Sequence, residues 1–130
     1  MKNITIRQLD RKNEEIADEL ISLGIKRPIA RILSYLKLGN ETTSVDLERG
    51  TGLRQPEVSV AMRELKQHDW INERENKKPG KGRPYRVYSL KVGFNEIVAQ
   101  LEKQRKKAFD ETLSKIERLK KLGNITHIGS

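Results

Sequence analysis

The sequence predicts a mainly α-helical fold carrying one small β-hairpin, and three observations predict it. Apolar residues recur at helical spacing through four successive segments before residue 67. Two short runs rich in aromatic and β-branched residues follow, separated by a stretch of Lys, Gly and Pro. Residues 93–122 then return to helical spacing.

Each element has its own signal. Residues 13–23 place Ile16, Ala17, Leu20, Ile21 and Leu23 on one helix face, and Gly24 suits the end. Pro28 opens a second helix, because the first turn lacks a use for its missing N–H, and Ile29, Ile32, Leu33 and Leu36 form its stripe up to Gly39. Residues 40–42 are expected as loop. Thr43 with Asp46 three residues on resembles a capping box and starts a short helix that ends near Gly50 and Gly52. Gln55-Pro56-Glu57 begins the next helix, with Val58, Ala61, Met62 and Leu65 at helical spacing. Two short helices about a glycine turn form a helix-turn-helix.

The runs Trp70-Ile71-Asn72-Glu73-Arg74 and Tyr85-Arg86-Val87-Tyr88-Ser89-Leu90 are expected as strands, with the intervening Pro and Gly residues as the hairpin loop. That order is a winged helix-turn-helix, flanked by an N-terminal helix and a long C-terminal helix. The expected organisation is a helical arm over 1–27, the winged helix-turn-helix over 28–90, a dimerisation helix over 91–123 that Gly123 ends, and a tail over 124–130.

Composition narrows the function classes. Of 130 residues, 27 are Lys or Arg against 18 Asp or Glu, a net charge of +9, which favours a polyanionic partner. Residues 40–73 carry a net −3, whereas residues 74–90 carry +5 and residues 91–130 carry +4, so the basic excess is concentrated in the hairpin and again in the last helix. There are no cysteines and only two histidines, His68 and His127, so neither a metal site nor a cofactor is expected. No apolar run approaches the roughly 20 residues of a membrane span, and the N-terminus lacks a signal peptide's apolar stretch, so the expected location is cytoplasmic. No phosphate-binding glycine loop precedes a helix and no nucleophile–base–acid set stands out, so no enzyme is expected.

Four sequence pieces together carry a family resemblance. They are Ala30-Arg31-Ile32-Leu33, Thr43-Ser44-Val45-Asp46-Leu47, Gly52-Leu53-Arg54-Gln55-Pro56-Glu57-Val58-Ser59, and Lys81-Gly82-Arg83-Pro84-Tyr85-Arg86-Val87-Tyr88-Ser89-Leu90. In that order and spacing, residues 28–90 resemble the winged helix-turn-helix regulators of the ArsR, MarR and TrmB type, particularly archaeal members. The resemblance implies a homodimeric transcriptional regulator of double-stranded DNA. The chain departs from it at Glu48, where these families place a small buried residue. It also lacks the cysteine ligands of metal-sensing members and the sugar-binding domain of many TrmB-like ones.

The candidate DNA-facing residues follow from how such a fold docks. Its recognition helix enters the major groove with its N-terminal end against base edges. Gln55, Ser59 and Arg63 fall four residues apart, opposite Val58, Met62 and Leu65. Gln pairs with adenine and Arg with guanine through two hydrogen bonds each, while Pro56 and Val60 suit a thymine methyl group. Arg54 precedes the helix as a phosphate contact, and Thr43 and Ser44 join the set at the start of the preceding helix. Lys77, Lys78, Lys81 and Arg83 in the wing would neutralise phosphates or place Arg83 in the minor groove. Arg74 and Arg86, on the strands, suit either DNA or the hairpin's own surface.

Surplus apolar surface predicts the dimer. Leu101, Ala108, Phe109, Ile116 and Leu119 of the last helix, with Ile16 and Leu20 of the first, would be buried against a second copy. The competing reading is a winged-helix adaptor that binds protein within the transcription machinery, which the acidic balance of residues 40–73 keeps open. Double-stranded RNA is a third, disfavoured because its major groove is deep and narrow. No pocket for a small-molecule effector is legible.

Overall fold

The computed structural model of the chain describes residues 11–37, 39, 41–76 and 84–129, with side chains in the last helix through Asn124. The chain forms two compact units, Met1–Phe94 and Asn95–Ser130. The first contains helices α1 (Arg11–Ser22), α2 (Arg27–Leu36), α3 (Ser44–Thr51) and α4 (Gln55–Gln67), with strands β1 (Thr42–Thr43), β2 (Ile71–Asn76) and β3 (Tyr85–Leu90). Helix α5 (Phe94–Gly129) makes up the second. This is a winged helix with a small three-stranded antiparallel sheet, ordered β1-β3-β2.

Helix α2 is the centre of the first unit. It buries Ile29, Ala30, Ile32, Leu33, Ser34, Tyr35 and Leu36, more than one face, as a core helix must. The Ser34 hydroxyl donates to the Ala30 carbonyl at 2.9 Å and so is not left as an unpaired polar group there. Helix α1 lies on α2 through Ala17 and Leu20.

Arg31, with a side chain only 13% exposed, fastens three helices. Its Nε donates to the Thr51 carbonyl at the end of α3 at 2.7 Å. Its Nη1 and Nη2 donate to the two Glu14 oxygens of α1 at 2.7 and 3.1 Å. Paired donation from a planar guanidinium is the strong form of this interaction. The arm expected over 1–27 is thus, in its described part, packed on α2 within the first unit.

Helix α3 starts as its sequence implies, with Thr43 Oγ1 accepting from the Asp46 N–H at 3.2 Å. It ends on Gly52, whose φ of +74° is open to glycine without steric cost, and whose N–H donates to the Glu48 carbonyl at 2.9 Å. Gly50 is needed for a different reason, since a Cβ there would collide with the Tyr35 ring of α2. Glu48 is half-buried, and the close approach of α3 to α2 in this turn falls at Gly50 instead. Thr51 is buried, donating to the Leu47 carbonyl at 2.5 Å and accepting the Leu53 N–H at 3.3 Å.

Residues 42 and 43, of which 42 was expected as loop, form a strand. Thr42 pairs with Tyr88 and Thr43 with Val87, so the sheet has a third member beyond the hairpin. β2 and β3 pair from Ile71↔Leu90 to Asn76↔Tyr85. Asp69, at φ +62°, turns the chain from α4 into β2, and its carboxylate accepts from Lys91 Nζ at 2.9 and 3.0 Å. Trp70 is buried at the start of the strand and stacks on His68 with ring centres 4.3 Å apart.

Helix α5 also departs from expectation: it passes through Gly123 and continues to Gly129, where residues 124–130 were expected as a tail. A single glycine costs a helix only about 1 kcal/mol relative to alanine, which flanking turns can offset. Among the described residues, no helix is long and apolar enough to cross a membrane.

Two outcomes test this packing. Gly50→Ala should lose about 1–3 kcal/mol of stability in urea unfolding, because the added methyl overpacks against Tyr35. Glu14 has its carboxyl held below the ordinary value by the hydrogen bonds from Arg31, against a smaller opposing effect of burial. Its stabilisation is therefore complete above the unfolded glutamate range and lost as pH falls through the depressed folded value. The gap in urea midpoint between wild type and Glu14→Gln should be widest near neutral pH and close on acidification.

Candidate nucleic-acid interface

Helix α4 is set by what it buries. Val58, Ala61, Met62 and Leu65 are all buried, which turns the opposite side outward. Gln55, Ser59 and Arg63 lie there, exposed, together with Pro56 and Val60. Gln55 Nε2 donates to Ser59 Oγ at 2.9 Å, so the two polar groups at the front of the helix are already aligned. Arg54 is the N-cap residue, in extended conformation with its side chain exposed.

The carboxylates of this helix are engaged. Glu57 folds back to accept the Arg54 N–H at 3.0 Å, a cap that satisfies one free donor of the helix start. Glu64 is half-buried and takes Lys26 Nζ, from the turn between α1 and α2, at 3.1 Å. Both therefore have local partners; Arg54, Gln55, Pro56, Ser59, Val60 and Arg63 are exposed, as is Glu57 with its capping bond.

Thr43 and Ser44 are half-buried at the start of α3, and the Thr43 hydroxyl is occupied by its capping bond. Lys77, Lys78, Lys81 and Arg83 lie outside the described residues. The strands on either side are described: Asn76 Nδ2 donates to the Tyr85 hydroxyl at 3.0 Å across the last described pair. Arg74 is clamped by Glu41, with its Nε and Nη2 donating at 3.0 and 2.7 Å. That contact lowers the Glu41 carboxyl below its ordinary value and raises Arg74 above its own.

Sequence reasoning missed one feature. Between α4 and the β2–β3 ladder runs an open groove lined by Ser59, Arg63 and Lys66 on one side and by Glu73, Arg86 and Tyr88 on the other. Glu73, 15% exposed, receives Lys66 Nζ at 2.8 Å and also pairs with Arg86. These residues come from three elements, and no spacing in the sequence links them.

The expected dimer residues divide. Phe109, Ile116 and Leu119 are 62%, 41% and 67% exposed along α5, Ala108 is exposed, and Leu113 and Leu122 continue the run. Leu101 is buried, Leu20 is used in packing α1 on α2, and Ile16 is half-buried. Among the described residues no cluster of three or more His, Cys, Asp or Glu could hold a metal ion.

No protein-family model matches the chain, and no curated protein matches it. Solved structures do. A possible transcriptional regulator from Methanosarcina mazei Go1 superposes with a TM-score of 0.61 at 12% identity, over 75% of this chain and 82% of that one. Another structure, described as a transcriptional regulator, gives 0.52 at 20% identity over 77% of this chain and 65% of that one. A transcription regulator of the MarR family gives 0.50 at 16% identity, over 81% and 71%. At these identities the likeness establishes the winged-helix fold.

Proposed function

We propose that the chain is a homodimeric transcriptional regulator that binds double-stranded DNA sequence-specifically, with α4 in the major groove. The observation that carries the reading is the outer face of α4, where donors, an acceptor and cations are exposed while Glu57 and Glu64 are tied elsewhere. Structures of this fold that are described as transcriptional regulators support it.

Gln55 and Arg63 read base edges, and removal of either costs about 1–3 kcal/mol at one position of the site. Arg54 and the wing residues Lys77, Lys78, Lys81 and Arg83 contribute phosphate contacts without sequence preference. A dimer contacting 6–10 phosphates loses roughly 10³–10⁵ in affinity between 50 and 200 mM salt.

A second copy is the partner for α5. Its exposed Phe109, Leu113, Ile116 and Leu119 form an apolar run that a lone helix would leave in water.

The reading is tested by fluorescence anisotropy on duplex DNA across a salt series. Wild type should bind with a steep salt slope, and the Lys77/Lys78/Lys81/Arg83→Ala variant should flatten it. A folded wild type with no duplex affinity at low salt would refute the reading. For the dimer, sedimentation should give twice the chain mass for wild type and a monomer for Phe109→Glu/Leu119→Glu; an unchanged mass would exclude this stripe as the interface.

A further inference from the structure

We infer that the groove between α4 and the β2–β3 ladder seats a backbone phosphate of the bound duplex, held by Lys66 and Arg86. The inference rests on the duplex-binding reading and adds residues to it. With α4 in the major groove, the surface alongside the helix must face the phosphodiester strand that bounds that groove. The groove begins on the reading face itself: Ser59, Arg63 and Lys66 succeed one another at helical spacing from the base-facing side of α4 to the sheet.

Its chemistry suits a phosphate. Arg63, Lys66 and Arg86 line it with the carboxylate of Glu73, and counting also Glu75, opposite Arg86 in the ladder, the balance is positive. The two cations nearest the sheet are also held in place. Glu73 lies below them at 15% exposure, while the Lys66 and Arg86 side chains remain 51% and 61% exposed. An ammonium has three donors and a guanidinium five, so pairing with one carboxylate leaves donors free on the open side. A carboxylate that draws a helix residue and a strand residue together spares much of the side-chain entropy that phosphate binding would otherwise cost.

The test compares wild type with Lys66→Gln and Arg86→Gln, with Arg11→Gln on α1 as a control of equal charge change. Binding of two mixed-sequence duplexes is followed by anisotropy over a salt series. In the homodimer each substitution removes one phosphate contact per subunit, so the slope should fall by about 1.8, leaving a roughly 12-fold smaller affinity loss between 50 and 200 mM salt. Both groove variants should show this equally on the two duplexes, and Lys66→Arg and Arg86→Lys should restore the wild-type slope.

Slopes in the glutamine variants that match the Arg11→Gln control would overturn the phosphate seat while leaving the regulator reading in place. Absence of wild-type binding would overturn both. Acetylation footprinting of the wild type needs no variant to fold: duplex should protect Lys66 and spare Lys37. Equal Lys66 labelling with and without duplex would overturn the seat.

Discussion

Everything on the outer surface of α4 depends on the burial of its inner one. Val58, Met62 and Leu65 each gain roughly 1.5–3 kcal/mol from leaving water, whereas an exposed ion pair contributes at most about 1 kcal/mol. The rotation of α4 about its axis is therefore fixed by the apolar stripe, and the salt bridges adjust to it. Arg31 adds the second constraint. By holding the carbonyl of Thr51 and the carboxylate of Glu14, it locks the end of α3, and with it the glycine turn that aims α4. The orientation of α4 is a consequence of the core.

Charge is distributed around this frame in a way that total charge conceals. Residues 40–73 are net acidic, which argues for a protein partner when the sequence alone is in view. In the folded chain Glu41, Glu64, Asp69 and Glu73 face Arg74, Lys26, Lys91 and the Lys66–Arg86 pair, and Glu57 caps its own helix. Several of these cations come from outside the acidic segment. These paired carboxylates therefore hold basic groups and a helix start in place.

Much of the fold was legible because its signals are local. The stripe Val58, Ala61, Met62 and Leu65, the turn at Gly52 and the Thr43 cap each lie within a few residues of the element they define. The misses have physical causes too. A two-residue strand carries no periodicity, so Thr42–Thr43 became visible only through its pairing with β3. Gly123 signals a helix end, yet its cost is small enough for α5 to continue. At the site, the exposed face of α4 followed from its period, whereas the engagement of Glu57 and Glu64 depended on a backbone turn and on Lys26 across the fold. The groove over Glu73 joins residues from three elements, a juxtaposition that only tertiary structure creates.

Whether α4 is the reading helix is decided most simply by mapping backbone amide chemical shifts as duplex DNA is added to the isotope-labelled protein. Perturbations should concentrate at Arg54, Gln55, Ser59 and Arg63 and spread toward Lys66 and Arg86, leaving the outer face of α1 unchanged. A duplex that binds while these α4 residues stay silent would contradict the assignment of α4 to the major groove.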